Sequence, residues 1–269
     1  ELWAEASESS RIDLLEEQLE KPQAAPAPSP SVDLADWELH TDREAFAAGV
    51  QRIRNLIAAG DLFQANLTAC CSTTWPPSAS ALELFIKLRQ RCPAPFAGLV
   101  LGNNNEALLS CSPERFLQMD ATGRVQTRPI KGTRPRSTDP QRDAQLAYEL
   151  QSSEKERAEL VMITDLLRND LGRVCEFGSV QVPELMRLEK YAQVQHLVST
   201  VEGRLRAKHS HLAALRDCFP GGSITGAPKF RAMEIIDELE PVTRGPYTGS
   251  LGYLGFNRES QLNIAIRTA

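Results

Sequence analysis

Between residues 96 and 128 the chain offers four short runs of strand character, at 96–101, 107–110, 116–120 and 123–128, with no helical segment between any two of them. A parallel pair would need a crossover of a dozen or more residues, usually a helix. With few βαβ alternations here, a mainly antiparallel sheet with helices packed on it is the better reading. Helical patterns stand before and after the runs rather than alternating with them. That is the arrangement of an α+β fold, with outer helices layered on a mainly antiparallel β core.

The helical segments are legible from periodicity and from their ends. Phe46, Val50, Ile53 and Ile57 recur at helical spacing over 45–59, and Gly60 ends that segment. A second helix is predicted over 82–91, stopped before Pro93. Asp139-Pro140 places a cap and a proline at the start of another. Ser153-Glu154-Lys155-Glu156 has the capping-box form and predicts a helix to about residue 168, closed by Gly172. Helices over 212–218 and 229–239 follow, and further strands are expected at 62–74, around 180–185 and at 193–201. Residues 1–20 carry a weak helical pattern, and 21–31 (KPQAAPAPSPS) form a Pro/Ala/Ser linker. Residues 1–40 therefore read as an N-terminal remnant with a linker, and 41–269 as one domain.

Composition removes several classes of function. The chain carries 30 Lys and Arg against 35 Asp and Glu, a net charge of −5, so it presents no basic footprint for nucleic acid. No apolar run approaches the ~20 residues that span a bilayer, and no signal-peptide pattern opens the sequence. The six cysteines form no CxxC and have no histidine at zinc spacing, which reads as reduced, mostly buried thiols of a cytoplasmic protein.

Several residues invite a chemical reading beside an ordinary one. Lys131 stands between Pro129 and Gly132 at the end of the 123–128 strand, where a turn is expected; it is a pinned lysine or a surface one. Glu114 lies at a strand boundary, either functional or a turn acid paired with Arg115. On a helical wheel, Glu156 and Glu159 share one arc with Leu160, Ile163 and Leu167. Capping accounts for Glu156. A carboxylate on the apolar face at Glu159 calls for a cation, and both a hard divalent ion such as Mg²⁺ and an arginine satisfy that demand; Arg157 points the other way. His196 alternates onto an apolar strand face, where a hydrogen-bonded core histidine is the ordinary outcome. His209 and His211 read as solvated. The run from Phe219 to Lys229 is glycine-rich and feeds a helix, which makes it an anion site, suited to a carboxylate. It lacks the Lys-Ser/Thr of a P-loop.

Taken together, SPER (112–115), RPIKGT (128–133), EKERAEL with DLLRNDLGRV (154–174), HLVST (196–200), FPGGSITGAPKFRAMEIIDELEP (219–241), GPYTGSLGY (245–253) and IAIRT (264–268) resemble the chorismate-utilising enzymes. Among these, the resemblance is closest to the aminodeoxychorismate synthase component I group, and it runs from about Asp42 to the end. The resemblance implies a layered α+β fold with a large antiparallel β-sandwich core. It implies conversion of chorismate and ammonia to 4-amino-4-deoxychorismate, for p-aminobenzoate and folate synthesis, the ammonia coming from glutamine through a glutamine amidotransferase subunit. It assigns Lys131 as the nucleophile at ring position two and Glu114 as the acid for the position-four hydroxyl. Glu156 and Glu159 match half of an Mg²⁺ site, and His196, Ser223, Thr225, Gly226, Tyr247 and Arg267 match positions lining the substrate pocket.

The family continues past IAIRT with a carboxylate-binding loop and a helix carrying further metal-binding glutamates. The resemblance thus implies a catalytic domain cut short at residue 269, with an exposed, unpaired edge near 264–268. Sister reactions, giving anthranilate or isochorismate and salicylate, remain alternatives, as does a catalytically inactive fragment. Lys131 stands where the anthranilate branch carries alanine, and the GGSITGAPK loop favours amination.

Overall fold

The computed structural model describes residues 37–76, 79–103 and 106–269. The helix expected at 1–20 and the linker at 21–31 lie outside the described residues. In chain order the elements are β1 (Glu38–Leu39), α1 (Arg43–Ala59), β2 (Gln64–Ala65), β3 (Cys71–Ser72), α2 (Ala81–Arg91), β4 (Phe96–Leu101), β5 (Ala107–Ser112), β6 (Arg115–Met119), β7 (Arg124–Arg128) and β8 (Ile130–Pro135). There follow α3 (Pro140–Ser152), α4 (Glu154–Val174), β9 (Gln181–Lys190), β10 (Val194–Arg204), α5 (His211–Cys218), β11 (Gly226–Ala227), α6 (Lys229–Leu239), β12 (Gly252–Leu254) and β13 (Ser260–Asn263). Every strand pairing among the described residues is antiparallel.

Seven strands form the main sheet, in the order β12, β13, β6, then β7 with β8, β10 and β9. β7 and β8 are one strand interrupted at Pro129, for both pair with the same edge of β10: Val201 faces Thr127 and Val198 faces Ile130. Side-chain caps start the helices. Asp42 accepts from the Ala45 N–H at 2.7 Å, Asp139 from Gln141 at 2.9 Å and Ser153 from Glu156 at 3.4 Å. α3 and α4 pack over β8, β9 and β10. Leu160, Ile163, Leu167, Leu171 and Val174 of α4 are buried there, with Phe116, Leu117, Val125, Val201 and Ile264 among the core residues of the sheet side. Each such side chain contributes about 1.5–3 kcal/mol by leaving water.

The second layer of the expected sandwich is represented by the β4–β5 hairpin. Residues 267–269 run alongside it: the Cys111 N–H donates to the Arg267 carbonyl at 3.0 Å, and Leu109 and Ala269 exchange both backbone bonds. The edge expected to stand open near 264–268 is therefore paired, and Ile264 and Ala265 are buried.

Other departures have local causes. α4 continues to Val174 because Leu171 and Val174 extend its apolar stripe, while Gly172 lies on the exposed side, where glycine costs only about 1 kcal/mol. Arg206 then caps that end, donating to the Cys175 carbonyl at 2.9 Å and the Gly172 carbonyl at 3.2 Å. The segment expected as one strand over 62–74 pairs only at β2 and β3. Between them its polar groups go to side chains, the Thr68 N–H donating to Glu240 Oε1 at 2.9 Å. Only Cys111, Cys175 and Cys218 of the six free thiols are buried, and Cys70 and Cys71 are exposed. His209 and His211 are half-buried rather than solvated, with His211 Nδ1 2.8 Å from the Ser260 hydroxyl.

Ile163 sits wholly buried between helix and sheet. Ile163→Ala should cost about 2–5 kcal/mol, read as a lower urea midpoint at unchanged m-value.

Candidate active site

The strand carrying Lys131 does not turn after it. Gly132 adopts φ 72°, and it is the extra residue of a β-bulge: Lys131 faces Leu197, Thr133 faces His196, and Gly132 faces nothing. A glycine in the left-handed region is what such a bulge requires. A side chain there would also collide with α3 and α4, since a Cβ would lie 2.8 Å from Leu150 Cδ1 and 3.1 Å from Glu156 Oε2. The strand thus presses Lys131 against the first turns of α4.

Lys131 Nζ lies 2.9 Å from Glu159 Oε1, and the two side chains are largely enclosed. The cation that Glu159 required is this lysine. Glu156 has a looser partner, Arg134, at 3.7 Å, while Arg157 points away and reaches the Gln151 carbonyl. Glu159 Oε1 also accepts from Gln64 Nε2 at 3.2 Å, and Gln64 Oε1 is buried with no partner among the described residues.

Glu114 enters from the opposite strand. Its backbone is fixed before β6 by the Ser112 hydroxyl, which accepts from the Glu114 N–H at 3.2 Å and donates to the Ile264 carbonyl at 2.6 Å. The pairing with Arg115 does not occur: that guanidinium donates to Gln126 and lies over the Phe96 ring. The carboxyl is buried, and burial pushes its pKa up to about 7, against the opposing pull of the Ser223 hydroxyl, the Lys131 charge and the Ile130 N–H. Carboxyl, amine and hydroxyl from three separate segments therefore share one small site.

Ser223 reaches Glu114 from a 3₁₀ turn, Gly222–Ile224, in the glycine-rich run. Lys229 folds back to hold that loop. Its Nζ is buried, 2.6 Å from Asp170 Oδ2, and donates to the carbonyls of Cys218 and Pro220 at 3.0 and 2.8 Å. Asn66 ties the far side, donating through Nδ2 to the Ser223 carbonyl at 2.9 Å and through its N–H to the Thr225 carbonyl at 2.8 Å. Gly226 has φ 151°, and a Cβ on it would lie 2.1 Å from the Gln64 carbonyl oxygen, so β2 and β11 meet only because it is glycine.

The remaining expected positions are less closely gathered. His196 is buried and bonded through Nδ1 to the Thr133 hydroxyl at 2.8 Å, and burial lowers its pKa. Thr225 donates to the Gly221 carbonyl at 3.1 Å. Thr225 and Tyr247 line a cavity of about 380 Å³ whose walls include none of Lys131, Glu114 or Glu159. Arg267 is exposed at φ 51°, near enough for its charge to bear on His196. Gln64, Asn66 and the Asp170–Lys229 pair escaped the sequence reading. Only the polar character of Gln64 and Asn66 within the 62–74 run hinted at a role besides pairing.

Two carboxylates one helical turn apart, Glu156 and Glu159, are donors of the kind Mg²⁺ takes. The described residues hold no group of three or more acidic, His or Cys side chains placed to hold a metal ion, so these two could supply only one side of a shell.

Comparison with known proteins agrees with the motifs. A family model described as chorismate binding enzyme matches residues 2–269. Anthranilate synthase component 1 1 of Haloarcula marismortui is 45% identical over 268 residues, covering 100% of this chain and 54% of that protein. Aminodeoxychorismate synthase component 1 of Klebsiella aerogenes is 47% identical over 247 residues, covering 91% of this chain and 54% of the other. The crystal structure of anthranilate synthase component I from Streptococcus pneumoniae superposes with a TM-score of 0.81 at 34% identity, over 99% of this chain and 58% of that one. The chain spans about half the length of the relatives it matches.

The raised Glu114 pKa has a signed consequence for stability. Between pH 4.5 and 7 the folded state holds a proton that the unfolded state releases, so this contribution declines as pH rises through that window and is gone above it. Relative to the parent chain, Glu114→Gln should gain about 3 kcal/mol on going from pH 4.5 to pH 8, measured by urea unfolding at each pH.

Proposed function

This chain belongs to the chorismate-binding enzyme family, and we propose that it is the chorismate-converting part of an aminodeoxychorismate synthase, making 4-amino-4-deoxychorismate from chorismate and ammonia. The observation that carries the reading is a buried acid, Glu114, raised to about 7 and near enough to feel the charge of Lys131, with that lysine set on a rigid bulge 2.9 Å from Glu159. A hydroxyl leaves poorly unless protonated, and a buried carboxyl titrating near neutral pH is a fitting donor.

The chemistry assigned to these residues balances. Neutral Lys131 Nζ forms a bond to ring carbon two, both conjugated ring double bonds shift by one position so that the second reaches carbon four, and the carbon-four hydroxyl departs with the Glu114 proton as water. Ammonia then bonds to carbon four, the shift reverses, and Lys131 leaves. The proton shed by the new ammonium returns to Glu114. For the first step Lys131 must be released from Glu159 and lose its proton. Glu156 and Glu159 would hold Mg²⁺, whose charge would bind a substrate carboxylate. The N-terminus of α6 and Arg267 offer further charge for the second carboxylate of chorismate. Buried and lacking a donor, Gln64 Oε1 suits an N–H nucleophile.

The name component 1, shared by relatives of both kinds, supports supply of ammonia by a separate glutamine amidotransferase subunit. Anthranilate synthesis is the second reading, since a relative named for that reaction covers the whole chain at 45% identity. The experiment is to incubate the full-length protein with chorismate, ammonia and Mg²⁺ and identify the product by mass and chromatography. The 4-amino product is expected. Lys131→Ala should lower its rate by at least ~10³-fold, with residual amination moving to ring position two. Anthranilate as the main product of the unmodified protein would replace the first reading with the second.

A further inference from the structure

A wide cavity lies away from Lys131, at the turn end of the main sheet. It encloses about 710 Å³ between the β6–β7 turn, the β10–α5 connection and the β12–β13 turn. Measured along β10, its edge at Arg204 lies seven residues beyond Leu197, the residue facing Lys131. At ~3.3 Å per residue that is roughly 23 Å. No residue assigned to the chorismate reading lines it.

Its charge is opposite to that of the chain. Arg204, Arg206, Lys208 and Arg258 line it against only Asp120 and Glu176, whereas the chain as a whole carries −5. Both acids are occupied. Asp120 Oδ1 accepts from the Thr122 N–H, the Thr122 hydroxyl and the Arg124 N–H, and Glu176 pairs with Arg204 at 3.9 Å. Arg206 is taken up by the carbonyls at the end of α4. Lys208 and Arg258 have neither a hydrogen bond nor an ion pair through their side chains among the described residues. In the same wall, His209 Nδ1 is buried without a hydrogen-bond partner among the described residues. The α5 N-terminus, capped by Ser210, opens on the same space.

Unpaired cations on an open convex surface are solvated and need no explanation. Here they line one concavity, where the walls focus the field and like charges repel, and none of the described residues pairs with them. A cavity of this size accommodates a small ligand. We propose that it binds a small polyanion, a molecule carrying at least two phosphate or carboxylate groups, held by Lys208 and Arg258. The site is independent of the chorismate reading and would stand or fall without it.

Calorimetric titration of the 269-residue chain tests this, with pyrophosphate and, separately, citrate at constant ionic strength set with sodium chloride. Saturable one-to-one binding of at least one anion is expected. The Lys208→Ala/Arg258→Ala double variant should bind that anion at least ~10-fold more weakly, the effect of losing charge-assisted contacts. Both residues are exposed, and an unchanged melting temperature will show that the variant is folded. Lys208→Arg, which keeps the charge, should retain binding. Preference for pyrophosphate would mark a phosphate ester as the ligand class, and preference for citrate a polycarboxylate. Failure of both anions to bind, or equal affinity in parent and double variant, overturns the proposal.

Discussion

One backbone irregularity organises the candidate site. Strand β7–β8 pairs with β10 on both sides of Pro129, and the bulge at Gly132 lets it stay paired while stepping past α4. A regular strand would set Lys131 and Thr133 on one face of the sheet. With the extra residue, Thr133 is bonded to buried His196 while Lys131 meets Glu159 on the helix. The bulge is possible only because residue 132 has no side chain to strike Leu150 and Glu156. The position of the lysine therefore follows from a sheet register and a glycine.

Around this strand, buried charge pairs hold the loops that complete the site. Lys229 and Asp170 join the glycine-rich run to α4, and Lys229 also donates to the carbonyls of Cys218, at the end of α5, and Pro220, within the run. Arg244 and Glu240 join the same run to the 64–68 segment, Arg244 donating to the carbonyls of Ile224 and Asn66 and Glu240 accepting from Thr68. A buried pair is weak evidence of net stability, but removing one partner strands the other at about 3–5 kcal/mol. Their arrangement points to placement: each links a loop bearing a site residue to a rigid element. Ser223 and Gln64 are held in this way, although both lie outside regular long strands and helices.

The sequence displayed the framework well where hydrophobic period and caps coincide. Strand 96–101 and helix 229–239 were legible to the residue, and the antiparallel class followed from the scarcity of βαβ alternation. Glu159 could be seen to need a cation, because its apolar neighbours on the helical arc are close in sequence. Which cation could not be seen, since Lys131 is 28 positions away and reaches Glu159 only through the register of a different strand. The same holds for Glu114, whose buried carboxyl meets the hydroxyl of Ser223, 109 residues downstream. Gly132 looked like a turn because a left-handed glycine serves a turn and a bulge equally; the pairing of β10 decides between them. Gly172 looked like a stop because local propensity favours one, and tertiary burial of Leu171 and Val174 overrode it.

The central claim is that Lys131 makes and breaks a covalent bond with the ring. Its most direct test is the mass of the full-length protein after mixing with chorismate and Mg²⁺ without ammonia, followed by acid quenching. The account predicts a species heavier by chorismate less one water, with the addition mapping to the peptide that contains Lys131. An unmodified Lys131 peptide throughout, in protein that forms the 4-amino product as soon as ammonia is added, would contradict it.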